Sequence, residues 1–274
     1  MPDLQQPARQ VSAHPGFERL ARLGYAAKGI VYFVVGLLAA QAAIGAGGKT
    51  TDTSGALQEI VVQPFGKFLL GLVAIGMVGY ALWRAVQAIL DPEHRGKPDA
   101  KRLVQRIGYA FSAIAYSGLA VTAVKLILGS NASGGDATQD WTARVLAQPF
   151  GQWLVGLAGA IVLGVGISFL YQAYKAEFQR EFMLSQMSRA EQNLAKRSGQ
   201  FGIAARGVVF VIIGIFLILA ALRSDASEVR GLGGALAALA QQPYGPWLLG
   251  IVALGLISYS LYSLVQARYR QIIH

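Results

Sequence analysis

The chain has 274 residues, of which 54% are hydrophobic and only 14% charged, with a formal net charge of +10 and no cysteine. A soluble domain carries roughly a quarter charged positions, so this composition excludes an ordinary water-soluble fold and makes the bilayer the expected solvent. Without cysteine there are no disulfides, thiolate metal sites or cysteine nucleophiles.

Taken in order, residues 1–20 form a polar segment containing Pro2, Pro7 and Pro15, which reads as a flexible cytoplasmic tail. Six apolar stretches follow, at 24–44, 68–89, 107–128, 153–174, 202–222 and 247–265. Each can cross about 30 Å of hydrocarbon at about 1.5 Å per residue, and lipid offers no partner for open backbone, so each is expected to be a helix. The predicted fold class is an all-α integral membrane protein with six transmembrane helices. The first stretch ends at Ala40-Gln41-Ala42, which has the form of a signal-peptide cleavage site, but its match to the third and fifth stretches argues for retention.

Beyond it, residues 43–50 fit the relaxed phosphate-loop pattern, ending in Gly48-Lys49-Thr50. That motif needs a buried strand before it and a helix after it; a membrane helix in front assigns these residues to a glycine-rich turn. Short mixed segments at 54–62, 139–147 and 231–241 then read as interfacial helices before the second, fourth and sixth spans.

A nine-residue box starts each even-numbered span. It reads Gln63-Pro64-Phe65-Gly66-Lys67-Phe68-Leu69-Leu70-Gly71, and returns around Pro149, Phe150, Gly151 and Gly156, and around Pro243, Tyr244, Gly245 and Gly250. A glutamine lies 23 residues after each proline, at Gln87, Gln172 and Gln266. A weaker signature opens each odd span: Gly24-Tyr25-Ala26-Ala27-Lys28-Gly29, Gly108-Tyr109-Ala110-Phe111-Ser112-Ala113 and Gly202-Ile203-Ala204-Ala205-Arg206-Gly207. One two-helix unit is thus used three times, over 21–90, 104–175 and 200–268. In the box, the proline suits a first helical turn, the aromatic residues an interfacial belt and the glycines close backbone approach. Gly71 and Gly76, like Gly250 and Gly255, are five apart and off register for one stripe, which points to contacts with more than one neighbour. Of the connectors, 91–106 holds Pro92, Gly96 and Pro98 and reads as a loop, whereas 176–199 lacks proline and reads as a helical extension of the flanking spans.

Eighteen of the 24 lysines and arginines fall on the face shared by the two termini and the loops after the second and fourth spans. This bias puts that face in the cytoplasm and accounts for the basic charge by membrane orientation and anionic headgroups, without nucleic acid.

The three boxes, the Gly-Tyr-Ala-Ala-Lys-Gly signature and the six-helix layout together resemble the bacterial membrane family catalogued as domain of unknown function 1206, over about residues 20–268. The resemblance implies three copies of a two-helix unit in a bacterial plasma membrane. It brings no activity, cofactor or catalytic residue. The second copy departs from it, with Ser112 and Ala113 in place of Lys28-Gly29 and Arg206-Gly207.

The histidines, at 14, 94 and 274, lie outside the spans, and no aspartate or glutamate lies inside one. Proton relays, haem and metal sites normally need such groups facing a bundle interior, and no nucleophile with a nearby base stands out, so neither an enzyme nor a cofactor is expected. Among the intramembrane polar groups, Lys28 and Arg206 occupy equivalent positions, as do Gln87, Gln172 and Gln266. Around a pseudo-threefold axis they would form a cytoplasmic collar able to hold an anion, against the plainer reading of snorkelling cations and interhelical glutamine bonds. The expected function is a structural, partner-binding or lipid-binding membrane protein, with a small-solute or anion channel or carrier as the alternative. In architecture only, the latter is similar to mitochondrial carriers, whose P-x-[DE]-x-x-[KR] motif is missing here. Because the chain has no cysteine, Gly96→Cys and Gly134→Cys report topology directly. An impermeant maleimide should label Gly134→Cys and not Gly96→Cys on intact cells.

Overall fold

The computed structural model describes residues 15–90, 100–130 and 137–271. Six long helices form the body: α1 (Pro15–Ala43), α3 (Gly66–Leu90), α4 (Ala100–Ile127), α6 (Gly151–Lys175), α7 (Arg189–Arg223) and α9 (Gly245–Tyr269). All six are long and apolar enough to cross a membrane. Before each even-numbered span lies a short helix, α2 (Thr53–Val62), α5 (Ala137–Leu146) or α8 (Leu232–Ala240). The chain is therefore an all-helical polytopic membrane protein of three repeated units.

Several boundaries differ from the sequence reading. The expected tail loses its last six residues to α1, because Pro15 takes the first helical position, where its missing N–H costs nothing. Residues 100–106 of the expected loop already belong to α4. The loop's Pro92, Gly96 and Pro98, the three histidines and most of the tail lie outside the described residues. The 176–199 connector is not a pair of helical extensions. α6 stops at Ala176, whose φ is +53°, and two 3₁₀ turns follow, Glu177–Glu181 and Leu184–Gln186. Only α7 runs on, from a capping box in which Ser188 and Glu191 satisfy one another's backbone N–H groups. Antiparallel contact between Phe182 and Arg270 and an Arg270–Glu181 ion pair tie this connector to the end of α9.

The box proves to be a turn rather than a first helical turn. Its glycine N–H bonds back to the carbonyl of its glutamine at 2.7 Å in the first and third copies and 2.9 Å in the second. With proline second and a positive φ third (Phe65 +59°, Phe150 +65°, Tyr244 +63°), this is the type II pattern. A Cβ on the glycine would stand 1.9–2.3 Å from a backbone carbonyl oxygen at the end of the preceding short helix. Glycine is thus imposed by steric contact, while an exposed aromatic holds a backbone conformation that costs side-chain-bearing residues about 1–2 kcal/mol. The turn at 43–50 has Gly45 and Gly47 at positive φ and no strand before it; Lys49 pairs with Glu59.

Packing follows the order α4, α3, α1, α9, α7, α6, so the helices make five seams of a six-membered ring. Three of those seams join one repeat to the next. At two of them, small residues of the odd helix meet equivalent side chains: a Cβ at Gly29 would touch Leu264 and one at Gly207 would touch Leu170, while Gly36 faces Ile257 and Gly214 faces Leu163. The other two seams are the hairpins of repeats 1 and 3, which pack by the same residues. Gly24 lies against Tyr80 and Gly202 against Tyr259, within 2.5–2.8 Å of where a Cβ would be; Gly76 meets Ala27 and Gly255 meets Ala205.

Repeat 2 has no such seam: α4 and α6 make at most marginal contact with one another among the described residues. At the positions of Ala27 and Gly76 it carries Phe111 and Ile161, which stand 66% and 54% exposed. Nothing lies within 4 Å of a Cβ at Gly108, the counterpart of Gly24 and Gly202. Bulky side chains where the other hairpins have methyl groups or hydrogen keep the backbones apart, since packing attraction between membrane helices depends on close approach. Gly202→Ala should therefore lower stability in detergent by about 1–3 kcal/mol, as overpacking of a close seam does. Gly108→Ala should leave the melting temperature unchanged; equal effects at both sites would contradict the open seam.

Candidate functional site

Inside the ring, the repeat-1 and repeat-3 hairpins each place a cation against a tyrosine of the partner helix. Lys28 on α1 donates from Nζ to the Tyr80 hydroxyl of α3 at 3.3 Å, and Arg206 on α7 donates from Nη1 to the Tyr259 hydroxyl of α9 at 2.5 Å. These are the same pair in two repeats, because Tyr80 and Tyr259 both lie 16 residues after the box proline. Repeat 2 has Ser112 and Val165 at the two places, on either side of the open seam. Ser112 bonds only along its own helix, to the Gly108 carbonyl.

The two pairs share one aromatic ring. Lys28 Nζ is 4.7 Å and Arg206 Cζ 4.6 Å from the centroid of Tyr259. Lys28 also approaches Tyr80 at 5.1 Å, and Arg206 approaches Phe169 of α6 at 4.9 Å and Tyr32 of α1 at 5.4 Å. A third cation joins from α3. Arg84 donates through Nε and Nη2 to Tyr80 at 2.9 and 2.6 Å and through Nη1 to Gln87 at 2.9 Å, while stacking on Tyr109 of α4 at 4.9 Å. Desolvated cation–π contacts are worth about 2 kcal/mol or more each, which offsets part of the cost of these charges in hydrocarbon. Lys28 is 3% exposed, yet among the described residues no carboxylate pairs with Lys28, Arg84 or Arg206. The Arg206 Nε is buried and has no hydrogen-bond partner.

The five residues expected to form a collar separate into two tiers. Lys28 and Arg206 sit at the level of Tyr80 and Tyr259, 12 residues past Phe68 and Trp247, or about 18 Å along the helices. Gln87 and Gln266 lie seven residues farther on, about 10 Å deeper. Gln87 is fully buried beneath Arg84, and Gln266 donates to Tyr262 at 3.2 Å with its own carbonyl oxygen buried and unpartnered. Gln172 is outside this interior set; it is half-buried and donates to Ser168 of the same helix at 3.1 Å. The sequence reading missed Arg84 and the tyrosines. Alignment of the repeats carries a signal for the latter, since tyrosine recurs at 80 and 259 and again at 32 and 116.

Both ends of this interior are packed, by apolar side chains toward the box turns and by aromatic and polar ones at the other end, where Arg270 stacks on Tyr25 at 5.2 Å. Toward the box turns, Val35, Leu57, Leu70, Leu236 and Leu249 are all almost completely buried, Leu57 and Leu236 being supplied by the short helices α2 and α8. Toward the other end, Trp83 donates to Tyr25 at 3.3 Å, and the connector inserts Phe178 and Phe182 edge-on against Tyr262 at 5.2 and 5.8 Å. Interior-facing positions are uncovered chiefly along repeat 2, although Arg84 and Arg206 are half-buried as well. Tyr109, Ser112 and Tyr116 of α4 are half-buried, and on α6 so are Val165 and Gln172, while Ser168 is exposed; the buried counterparts in repeats 1 and 3 include Tyr25, Lys28, Tyr80 and Tyr259. The arrangement is a cation–tyrosine chamber with one open side wall. Tyr80→Phe should cost about 1.5–3 kcal/mol, the usual size for a hydrogen bond to a charged group, because three N–H donors lose their acceptor. Thermal unfolding in detergent reads this out.

Three comparisons bear on this geometry. The family model described as Domain of Unknown Function (DUF1206) matches residues 23–91, 107–176 and 201–270. The uncharacterized protein YxxB of Bacillus subtilis (strain 168) is 42% identical over 256 residues, covering 93% of this chain and 92% of its own. No solved structure matches the chain.

Proposed function

Because the chain belongs to the DUF1206 family, whose model matches all three of its repeats, we propose that the threefold unit serves binding, and that the protein is a non-enzymatic, multi-pass plasma-membrane protein holding an anionic group within its cation–tyrosine chamber. The observation that carries this reading is the set of three interior cations, Lys28, Arg84 and Arg206, with phenol oxygens and rings around them and no carboxylate on any of them among the described residues. In a low-dielectric interior such a set is electrostatically incomplete, and an anion completes it. Lys28 Nζ bonds to the Tyr80 and Tyr259 hydroxyls, which leaves one of its three protons, and Arg206 Nε has no partner, so donors remain for an incoming oxygen.

The distribution of lysine and arginine supports a cytoplasmic position for both termini. The short helices α2, α5 and α8 then lie at the outer surface, where the exposed Phe65, Phe68, Phe150, Trp153, Tyr244 and Trp247 suit a headgroup-level belt. A channel or carrier is the less favoured reading, because apolar packing at Leu57, Leu70, Leu236 and Leu249 interrupts any polar path along the axis.

Native mass spectrometry of the protein released from membranes or gentle detergent tests the proposal. Wild-type protein should retain an anionic lipid or anion, and Lys28→Gln with Arg206→Gln should lose it while Arg189→Gln with Arg197→Gln on the basic face keeps it. Retention by the double chamber variant would overturn the reading. Solute flux in liposomes should not exceed that of protein-free controls, and a robust flux abolished by the chamber variant would favour the carrier instead.

A further inference from the structure

Resting on that reading, we infer that the ligand is a membrane-dissolved lipid with a compact acidic headgroup, a carboxylate or phosphate monoester, and that it enters sideways between α4 and α6. Three observations lead there. The first is that the ring is missing one seam, that of the repeat-2 hairpin, where Phe111 and Ile161 replace the small residues that close the other two. The second is that both ends of the chamber are packed with buried side chains. One end of the chamber is filled by Val35, Leu57, Leu70, Leu236 and Leu249, and the other by Tyr25, Trp83, Phe178 and Phe182. What reaches the cations comes through the uncovered wall, and in a spanning protein that wall faces hydrocarbon.

The third observation concerns the lining of the wall. On α6 the positions equivalent to Tyr80, Trp83 and Gln87 are Val165, Ser168 and Gln172, and on α4 Ser112 stands at the place of Lys28. From the glutamine level up to the cations, then, the slot offers Gln172, Ser168, Ser112 and Tyr116, while beyond Val165 it continues as Ile161, Leu157 and Leu154. A slot polar from the basic-face end to mid-depth and apolar beyond is a dead end for a headgroup and a bed for an acyl chain. It accepts an amphiphile with its head toward the cations and gives no path across the bilayer.

The charges of the chamber restrict the headgroup. An ammonium-bearing head such as that of phosphatidylethanolamine or phosphatidylcholine would bring a fourth cation beside Lys28, Arg84 and Arg206, an uncompensated like-charge contact. A bare carboxylate or phosphate monoester instead accepts from the remaining Lys28 proton and the unpartnered Arg206 Nε. The tyrosine rings crowding Lys28 and Arg206 at 4.6–5.4 Å favour a small head over a polyol one.

The test uses full-length protein in nanodiscs of phosphatidylcholine, to which oleic acid, phosphatidic acid, phosphatidylethanolamine or soluble inorganic phosphate is added, with bound ligand counted by native mass spectrometry. Oleic acid and phosphatidic acid should bind at one per chain, phosphatidylethanolamine should not, and inorganic phosphate should fail to displace them. Lys28→Gln with Arg206→Gln should weaken binding at least about tenfold, the loss of one charge-assisted hydrogen bond or more. Val165→Trp, which fills the slot at the level of the cations without replacing one, should weaken it similarly, as should a bismaleimide bridge between Ser112→Cys and Val165→Cys. Melting temperatures close to wild type identify variants that remain folded, and the bridge, made after folding, serves if Val165→Trp does not fold. If acidic lipid binds and depends on Lys28 and Arg206 but neither slot change affects it, sideways entry is wrong while the chamber stands. If inorganic phosphate alone occupies the chamber, the lipid assignment is wrong, and if folded wild-type protein takes up no anion of any kind, the chamber proposal falls as well.

Discussion

Close approach of helix backbones at small residues is the constraint on which the structure depends. In hydrocarbon no hydrophobic force drives helices together, so a seam forms only where side chains permit van der Waals contact along its length. Gly24 against Tyr80 and Gly202 against Tyr259, with Gly76 on Ala27 and Gly255 on Ala205, meet that condition. The second hairpin, with Phe111 and Ile161 at the crossing, does not. Bulky residues at two positions of the repeat thus turn a closed pseudo-threefold ring into an arc of five seams with a lateral gap.

The polar chemistry follows the same asymmetry. Each closed hairpin carries a cation on its odd helix hydrogen-bonded to a tyrosine on its even helix, and the open one has serine and valine instead. The cations tolerate their depth because aromatic faces and phenol oxygens surround them, with Arg84 adding a link from Tyr80 down to Gln87. The glutamines belong to a lower tier, where Gln87 and Gln266 are sealed in and Gln172, beside the gap, turns to its own helix. Loss of one member of a threefold set therefore leaves two pairs sharing a ring, Tyr259, beside an uncovered wall.

The box shows how a short motif can be recognised correctly and its local geometry misread. Its threefold return and its invariant aromatic and glycine positions are evident in the chain, but the proline was expected inside the helix. It belongs instead to a type II turn, because the aromatic after it adopts positive φ and the glycine must pass beneath the carbonyl that ends the preceding short helix. That short helix is close enough to forbid a Cβ only in the folded protein, and no propensity of the residues announces it. The 176–199 connector was misjudged for a similar reason. Its composition suits helix, but Phe178 and Phe182 are drawn against Tyr262, and the backbone breaks into 3₁₀ turns to place them.

What the amino-acid sequence determined by itself is the solvent, the number of spans and their repetition, because hydropathy, length and internal similarity are local properties that survive without knowledge of neighbours. It also singled out Lys28 and Arg206 as equivalent intramembrane cations and marked repeat 2 as the one lacking them. Only the tertiary structure decided which helices touch, that α4 and α6 stand apart, and that Arg84, Tyr32, Tyr80, Tyr116 and Tyr259 gather around those cations. The physical reason is that a residue in a helix has a direction as well as a position. Whether a tyrosine faces lipid or a buried ammonium group depends on the crossing of two helices, set by side chains far away in the sequence.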